Sequence, residues 1–146
     1  MPEKETIERA QQDRREGKAP STQAGEFVRE EMDHIREGKH GARSAKQAIA
    51  IGLSKARKAG VDLPAPKRGT ASAATRKKAV SDRRRSKSPA AGKSSPRRAS
   101  AARRALEDEP RRSASHPALS RQAHKSASRR SAAKKAAATR KKSKKS

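Results

Sequence analysis

The chain has 146 residues, room for one ordinary domain, and its 40 Lys/Arg against 15 Asp/Glu give a formal net charge of +25. A charge of that size opposes compaction and makes attraction to a polyanion the dominant long-range interaction. The absence of cysteine excludes disulfides and thiolate metal sites, and no apolar run approaches the ~18–20 residues of a membrane helix.

Charge and apolar residues are divided unequally. Residues 1–64 hold 13 Lys/Arg and 11 Asp/Glu, whereas 65–146 hold 27 and 4. Of the 14 Ile, Leu, Val, Phe and Met residues, 11 lie in 1–64, and only Val80, Leu106 and Leu119 lie beyond. The expected organisation is therefore a small helical module, 1–64, followed by an intrinsically disordered Lys/Arg/Ala/Ser-rich tail, 65–146. Leu63-Pro64-Ala65-Pro66 marks the boundary as an extended connector.

The expected fold class is small all-α: two to three helices, with a helical hairpin over 21–60. The first helix runs from Glu3 to about Glu16, has Ile7 and Ala10 as its apolar marks, and stops near Gly17. The second follows Pro20 with Ser21 as N-cap; Ala24, Phe27, Val28, Met32 and Ile35 recur at three- and four-residue steps, and Gly38 ends it. The third opens on a capping box, Ser44-Ala45-Lys46-Gln47. Its small and apolar stripe is Ala45, Ala48, Ile49, Gly52, Leu53 and Ala56; Lys55, Arg57 and Lys58 fill the last turn, and Gly60 follows. A core of this size is thin, so the hairpin is expected to gain order by dimerising or by meeting a partner.

In the tail, short basic units recur between Ala, Ser and Pro spacers. The candidate phosphate-binding residues are Arg76, Lys77, Lys78, Arg83, Arg84, Arg85, Arg97, Arg98, Arg103, Arg104, Arg111, Arg112, Arg129, Arg130, Lys134, Lys135, Arg140, Lys141 and Lys142. Each cation that neutralises a phosphate releases a counterion, so engagement of ~8–10 of them predicts a slope of log K on log salt of roughly −7 to −9. Thr70–Arg85 and Ala118–Lys142 are expected to be coil in isolation and to gain helix once phosphates neutralise their repulsion. With no Trp, no Tyr and one Phe, base stacking has little to work with, which favours duplex DNA over RNA loops. No rigid element offers itself for base readout.

Four lesser signals complete the inventory. Ser95-Pro96-Arg97-Arg98 is a Ser-Pro-basic-basic unit of the kind that lies along a minor groove as a turn, whereas Ser88-Pro89 lacks the basic pair. Lys39, Arg43 and Ser44 flank the start of the third helix, where free N–H groups favour an anion, and form a candidate phosphate clamp. His34, His40, His116 and His124 show no metal-ligand spacing, so no metal and no cofactor are expected. No Ser/His/Asp set has a scaffold to hold it, so no catalytic residue is assigned and the chain is expected not to be an enzyme.

Arg36-Glu37-Gly38-Lys39-His40-Gly41, followed by Arg43-Ser44-Ala45-Lys46-Gln47-Ala48-Ile49-Ala50-Ile51-Gly52-Leu53-Ser54-Lys55-Ala56-Arg57, resembles a box shared by a family of small basic bacterial proteins. Ser21 to Glu37 resembles the family's opening, and the likeness covers roughly residues 2–66. Some members carry the label of plasmid stabilisation or DNA-binding protein, so the resemblance implies a role with DNA and supplies no catalytic residues. The tail is similar in composition to histone-like tails.

These observations together predict a non-enzymatic, sequence-nonspecific DNA-binding protein, cytoplasmic and nucleoid- or plasmid-associated, with no membrane or small-molecule partner and with a homodimer contact, if one forms, through the helical module. The competing expectations are a protein-interaction adaptor whose tail only localises it to DNA, and an RNA- or ribosome-associated basic protein.

Overall fold

The computed structural model describes residues 2–88 and 95–144, and all the regular structure among them is helical. Helix α1 (Lys4–Arg15) ends at Gly17, whose φ of +73° is the left-handed conformation a glycine adopts without strain. Helix α2 (Pro20–Arg36) starts two residues earlier than a Ser21 cap would place it, with Ala19 at the cap position. Pro20 takes the first helical position, where its missing N–H is no loss, and no side chain caps the end. In helix α3 (Ala45–Lys58) the Gln47 N–H donates to Ser44 Oγ at 3.2 Å. The Gln47 side chain reaches back one residue further than a regular capping box, accepting from the Arg43 N–H at 2.7 Å.

The centre of the molecule is the crossing of α2 and α3. Ala45, Ala48, Gly52 and Ala56 are buried along α3, and their small size lets the helix axes approach. At the closest point a Cβ added to Gly52 would lie 2.7 Å from Val28 Cα and 3.0 Å from Val28 N. Two apolar clusters flank this crossing. One joins Ala10, Ala24, Phe27, Ala56 and Val61, with Ile7, Leu53 and Leu63 at its edge. The other joins Met32, Ile35, Ala42, Ala48 and Ala114, with Val28, Ile49 and Leu119 beside it.

The expectation of a long disordered tail is overturned. Residues 73–86, 96–107 and 116–143 form helices α4 (Ala73–Ser86), α5 (Pro96–Glu107) and α6 (His116–Ser143), with a 3-10 turn over Arg111–Ala114 before the last. Ala, Lys and Arg stand at the favourable end of the helix scale, and each start has local help. Ser72 Oγ accepts from the Thr75 N–H, Ser115 Oγ accepts from the Ala118 N–H, and Pro96 and Pro117 sit in first turns. Cations in the last turns of α4 and α6 complement the helix dipole.

Tertiary contacts hold two parts of this region on the first half. Helix α4 lies along α3 with Ala79 and Asp82 buried. Ser54 Oγ donates to Asp82 at 2.7 Å, Lys78 Nζ reaches the same carboxylate at 3.2 Å, and Arg83 meets Asp62 at 2.6 Å. The extended connector between α3 and α4 is pinned by the buried Arg57, which donates to the carbonyls of Leu63 and Pro64. The corner between α5 and α6 rests on the α2–α3 loop through main-chain bonds: the Gly41 N–H donates to Leu106 O at 2.7 Å and the Ala42 N–H to Pro110 O at 3.1 Å. Gly41 is required there, because a Cβ would overlap the Glu109 carbonyl. Ala114 and Leu119 then enter the second apolar cluster, so the same chain supplies cover that the hairpin alone lacks.

Two outcomes are expected. Gly52→Ala should lower unfolding stability by about 1–3 kcal/mol, since the new methyl meets backbone that cannot yield. Gly25→Ala, on the open face of α2 with nothing within 4 Å, should raise it by about 0.5–1 kcal/mol. Denaturant titration of both variants distinguishes close packing from a generic glycine effect. Separately, Asp82→Ala should release α4, read as faster amide exchange in Ala73–Ser86 with α2 and α3 unaffected, and remove roughly 1–3 kcal/mol. Burial raises the Asp82 carboxyl, but the Ser54 hydroxyl and the Lys78 ammonium outweigh it and hold the group below its ordinary 3.8. A carboxyl depressed in the folded state stabilises above its unfolded value, so α4 docking should hold at neutral pH and weaken as pH falls below 3.8.

Candidate nucleic-acid interface

The cations proposed from sequence fall on four helical elements. On α4, Lys77, Arg84 and Arg85 are exposed and Arg76 is half-buried, while Lys78 and Arg83 are engaged by Asp82 and Asp62. Arg97, Arg98, Arg103 and Arg104 are exposed on α5. Arg111 and Arg112 are exposed on the 3-10 turn, where the Arg111 side chain lies over Gly38. Arg129, Arg130, Lys134, Lys135, Arg140, Lys141 and Lys142 are exposed on α6.

Helix α6 gives these charges their most regular display. Its 28 residues span ~42 Å at 1.5 Å per residue and include no Asp or Glu. From Ala127 to Lys144 every residue is exposed. At 100° per residue, Arg121, Lys125 and Arg129 share one side of the helix, Arg130, Lys134 and Lys141 the opposite side, and Lys135 and Lys142 the flank between. The intervening residues are mainly Ala and Ser, so the rod is thin and cationic all round. Duplex DNA carries a charge per ~1.7 Å of axis, so a rod of this length runs past ~25 phosphates.

The other sequence candidates are placed as follows. Ser95 precedes α5, Pro96 takes its first position, and Arg97 and Arg98 form its first turn, so this unit begins a helix instead of the expected groove-following turn. Pro89, of the Ser88-Pro89 pair, lies outside the described residues. Among the proposed clamp residues, Lys39 pairs with Glu3 at 3.2 Å and Glu37 at 3.3 Å. Arg43 lies 3.6 Å from Glu109, and the Ser44 hydroxyl is occupied in capping α3. All three therefore have intramolecular partners.

Acidic groups gather around α1, α2 and the loop after α2, where the structure joins residues that spacing had left apart. Glu31 and His34 stand three apart on α2, one turn on the same face, and the loop after α2 returns His40 beside them. Glu31 is fully buried, 2.6 Å from His40 Nε2 and 2.5 Å from Lys55 Nζ on α3. His34 Nε2 is 3.1 Å from Glu3 Oε1 and 3.9 Å from Glu30 Oε1. The His34 ring and Lys39 hold the Glu3 carboxyl below its usual range. A polar cleft of about 260 Å³ between α1 and α2 opens beside them, lined among others by Glu3, Glu30, Asp33, His34 and Glu37. The signal available in sequence was the Glu31-x-x-His34 spacing; the return of His40 depends on the turn at Gly38. His116 and His124 are exposed on α6.

No helix among the described residues is long and apolar enough to cross a membrane. No curated protein and no solved structure matches the chain. Residues 21–68, which span α2, α3 and the connector, match a family of unknown function, DUF6496; α1 and the cationic helices α4–α6 lie outside the matched stretch.

Proposed function

We propose that this protein is a non-enzymatic DNA-binding protein that coats duplex DNA by neutralising phosphates, without reading base sequence. The observation that carries it is the display on α6: nine Lys/Arg, no carboxylate and full exposure from Ala127 onward. A charge run is ordinarily the solvated face of a helix whose other face packs. Past Ser126 this helix has no packed face, so fold stability does not explain its composition. Helix α5 and the exposed side of α4 extend the same field. The absence of Trp and Tyr leaves backbone contact as the means of binding and favours duplex over looped RNA. In a cell such a surface associates with the nucleoid or with plasmid DNA, while the compact α1–α3 body orients it.

Replacing Arg129, Arg130, Lys134 and Lys135 together by Gln tests this. Helicity should persist, because Gln is nearly as good a helix former as Lys or Arg. The slope of log K on log salt for random duplex should become shallower by about 2–4, since each lost phosphate contact removes about one unit. An unchanged slope and affinity would exclude α6 as the interface. Tighter binding to structured RNA than to duplex would reassign the polyanion.

A further inference from the structure

We propose that Glu31, His34 and His40 form a site for a divalent first-row transition ion of the zinc class, with Glu30 as a second carboxylate at its edge. This is independent of DNA binding, since none of these residues belongs to the cationic helices.

One donor atom from each of Glu31, His34 and His40 lies within 4.8 Å of the others. That spread suits an ion held by bonds of about 2.0–2.2 Å. Glu3, Glu30 and His34 form a second set of the same dimension, sharing His34.

Independent support comes from buried oxygens that the fold leaves unsatisfied. Glu30 is 5% exposed and Glu31 0%. Glu30 Oε1 accepts from the Glu3 N–H at 2.6 Å, but its Oε2 has no hydrogen-bond partner. Neither Glu31 oxygen makes a hydrogen bond, although His40 Nε2 stands 2.6 Å from one and Lys55 Nζ 2.5 Å from the other. Lys55 balances the charge of Glu31, so it is Glu30, buried next to it with an unbonded Oε2, whose charge a further cation would compensate.

The imidazole of His40 points the same way. Its Nδ1 lies 2.9 Å from the Gly41 carbonyl, which only accepts, so Nδ1 carries the hydrogen. Neutral His40 then presents a bare Nε2 lone pair 2.6 Å from a carboxylate oxygen. A carbonyl-bound Nδ1–H is the outer-sphere arrangement that prepares Nε2 to ligate a metal. Lys55, on the far oxygen of Glu31, serves the ligating carboxylate in the same way. Two imidazoles with carboxylates favour Zn(II), Co(II) or Ni(II) over Mg(II) and Ca(II), which prefer all-oxygen shells. An ion bound here would tie the end of α2 to the loop on which Leu106 and Pro110 rest.

The test uses the full chain, stripped of metal and free of nucleic acid, titrated with Co(II) and then Zn(II). We expect one equivalent of Co(II) to give the visible absorption of a four- or five-coordinate ion, Zn(II) to displace it, and Tm to rise with Zn(II) but not with Mg(II) or Ca(II). His34→Gln and His40→Gln should each weaken binding by at least ~10-fold, the loss seen even for outer-sphere partners. His116→Gln and His124→Gln on α6 should leave it unchanged. No saturable Co(II) spectrum in the unaltered chain would overturn the site and leave the Glu31–His40 contact a structural one. Undiminished binding in the His34→Gln, His40→Gln double variant would also overturn it. Should the variants fail to fold, the spectrum and Zn(II) displacement in the unaltered chain decide.

Discussion

The close approach of α2 and α3 at Gly52 is the constraint on which the other contacts depend. With Val28 backbone where a side chain would stand, the two helices interlock along Ala45, Ala48, Gly52 and Ala56. That distance fixes where Phe27 and Ile35 are buried, one in each apolar cluster. It also brings Lys55 to Glu31 and sets the loop that carries His40 and Gly41. Helix α4 then lies on the outer side of α3, and the corner after α5 lies on the loop. A small number of large apolar residues suffices because each contact is made at short range.

Charge is sorted by the same scaffold. Most carboxylates lie in α1, α2 and their surroundings, where they pair with Arg9, Lys18, Lys39 and Lys55. Of the four carboxylates beyond residue 64, Asp82 ties α4 to α3 and Glu109 faces Arg43 at the corner. The cations of α5 and α6 are thereby left displayed to solvent. The result is a near-neutral body joined to a rod whose only distinctive chemistry is positive charge. The proposed phosphate binding rests on that division, and the His/Glu cluster lies on the body, apart from the cationic helices.

Much of the first half was legible because its signals are local. Gly17, Gly38 and Gly60 take positive φ where the helices end, and the Ser44–Gln47 cap and the small stripe of α3 follow directly from spacing. In the second half net charge masks helix propensity. The repulsion is real, but Ala-rich segments with Ser caps form helix despite it, and spreading cations around a rod keeps them apart. The docking of Asp82, Leu106, Ala114 and Leu119 was hidden because single residues far apart in sequence carry no periodicity. The Glu31–His34–His40 cluster was hidden for a similar reason: its third member arrives by a turn.

The most direct test of phosphate neutralisation is the salt dependence of the unaltered chain's affinity for several duplexes of unlike sequence. Sequence-independent backbone binding predicts one steep linear slope of log K on log salt, the same for every duplex, with affinities that agree within a few-fold. A shallow slope, or affinities that differ ~1,000-fold or more between duplexes, as base-specific binders show, would contradict it.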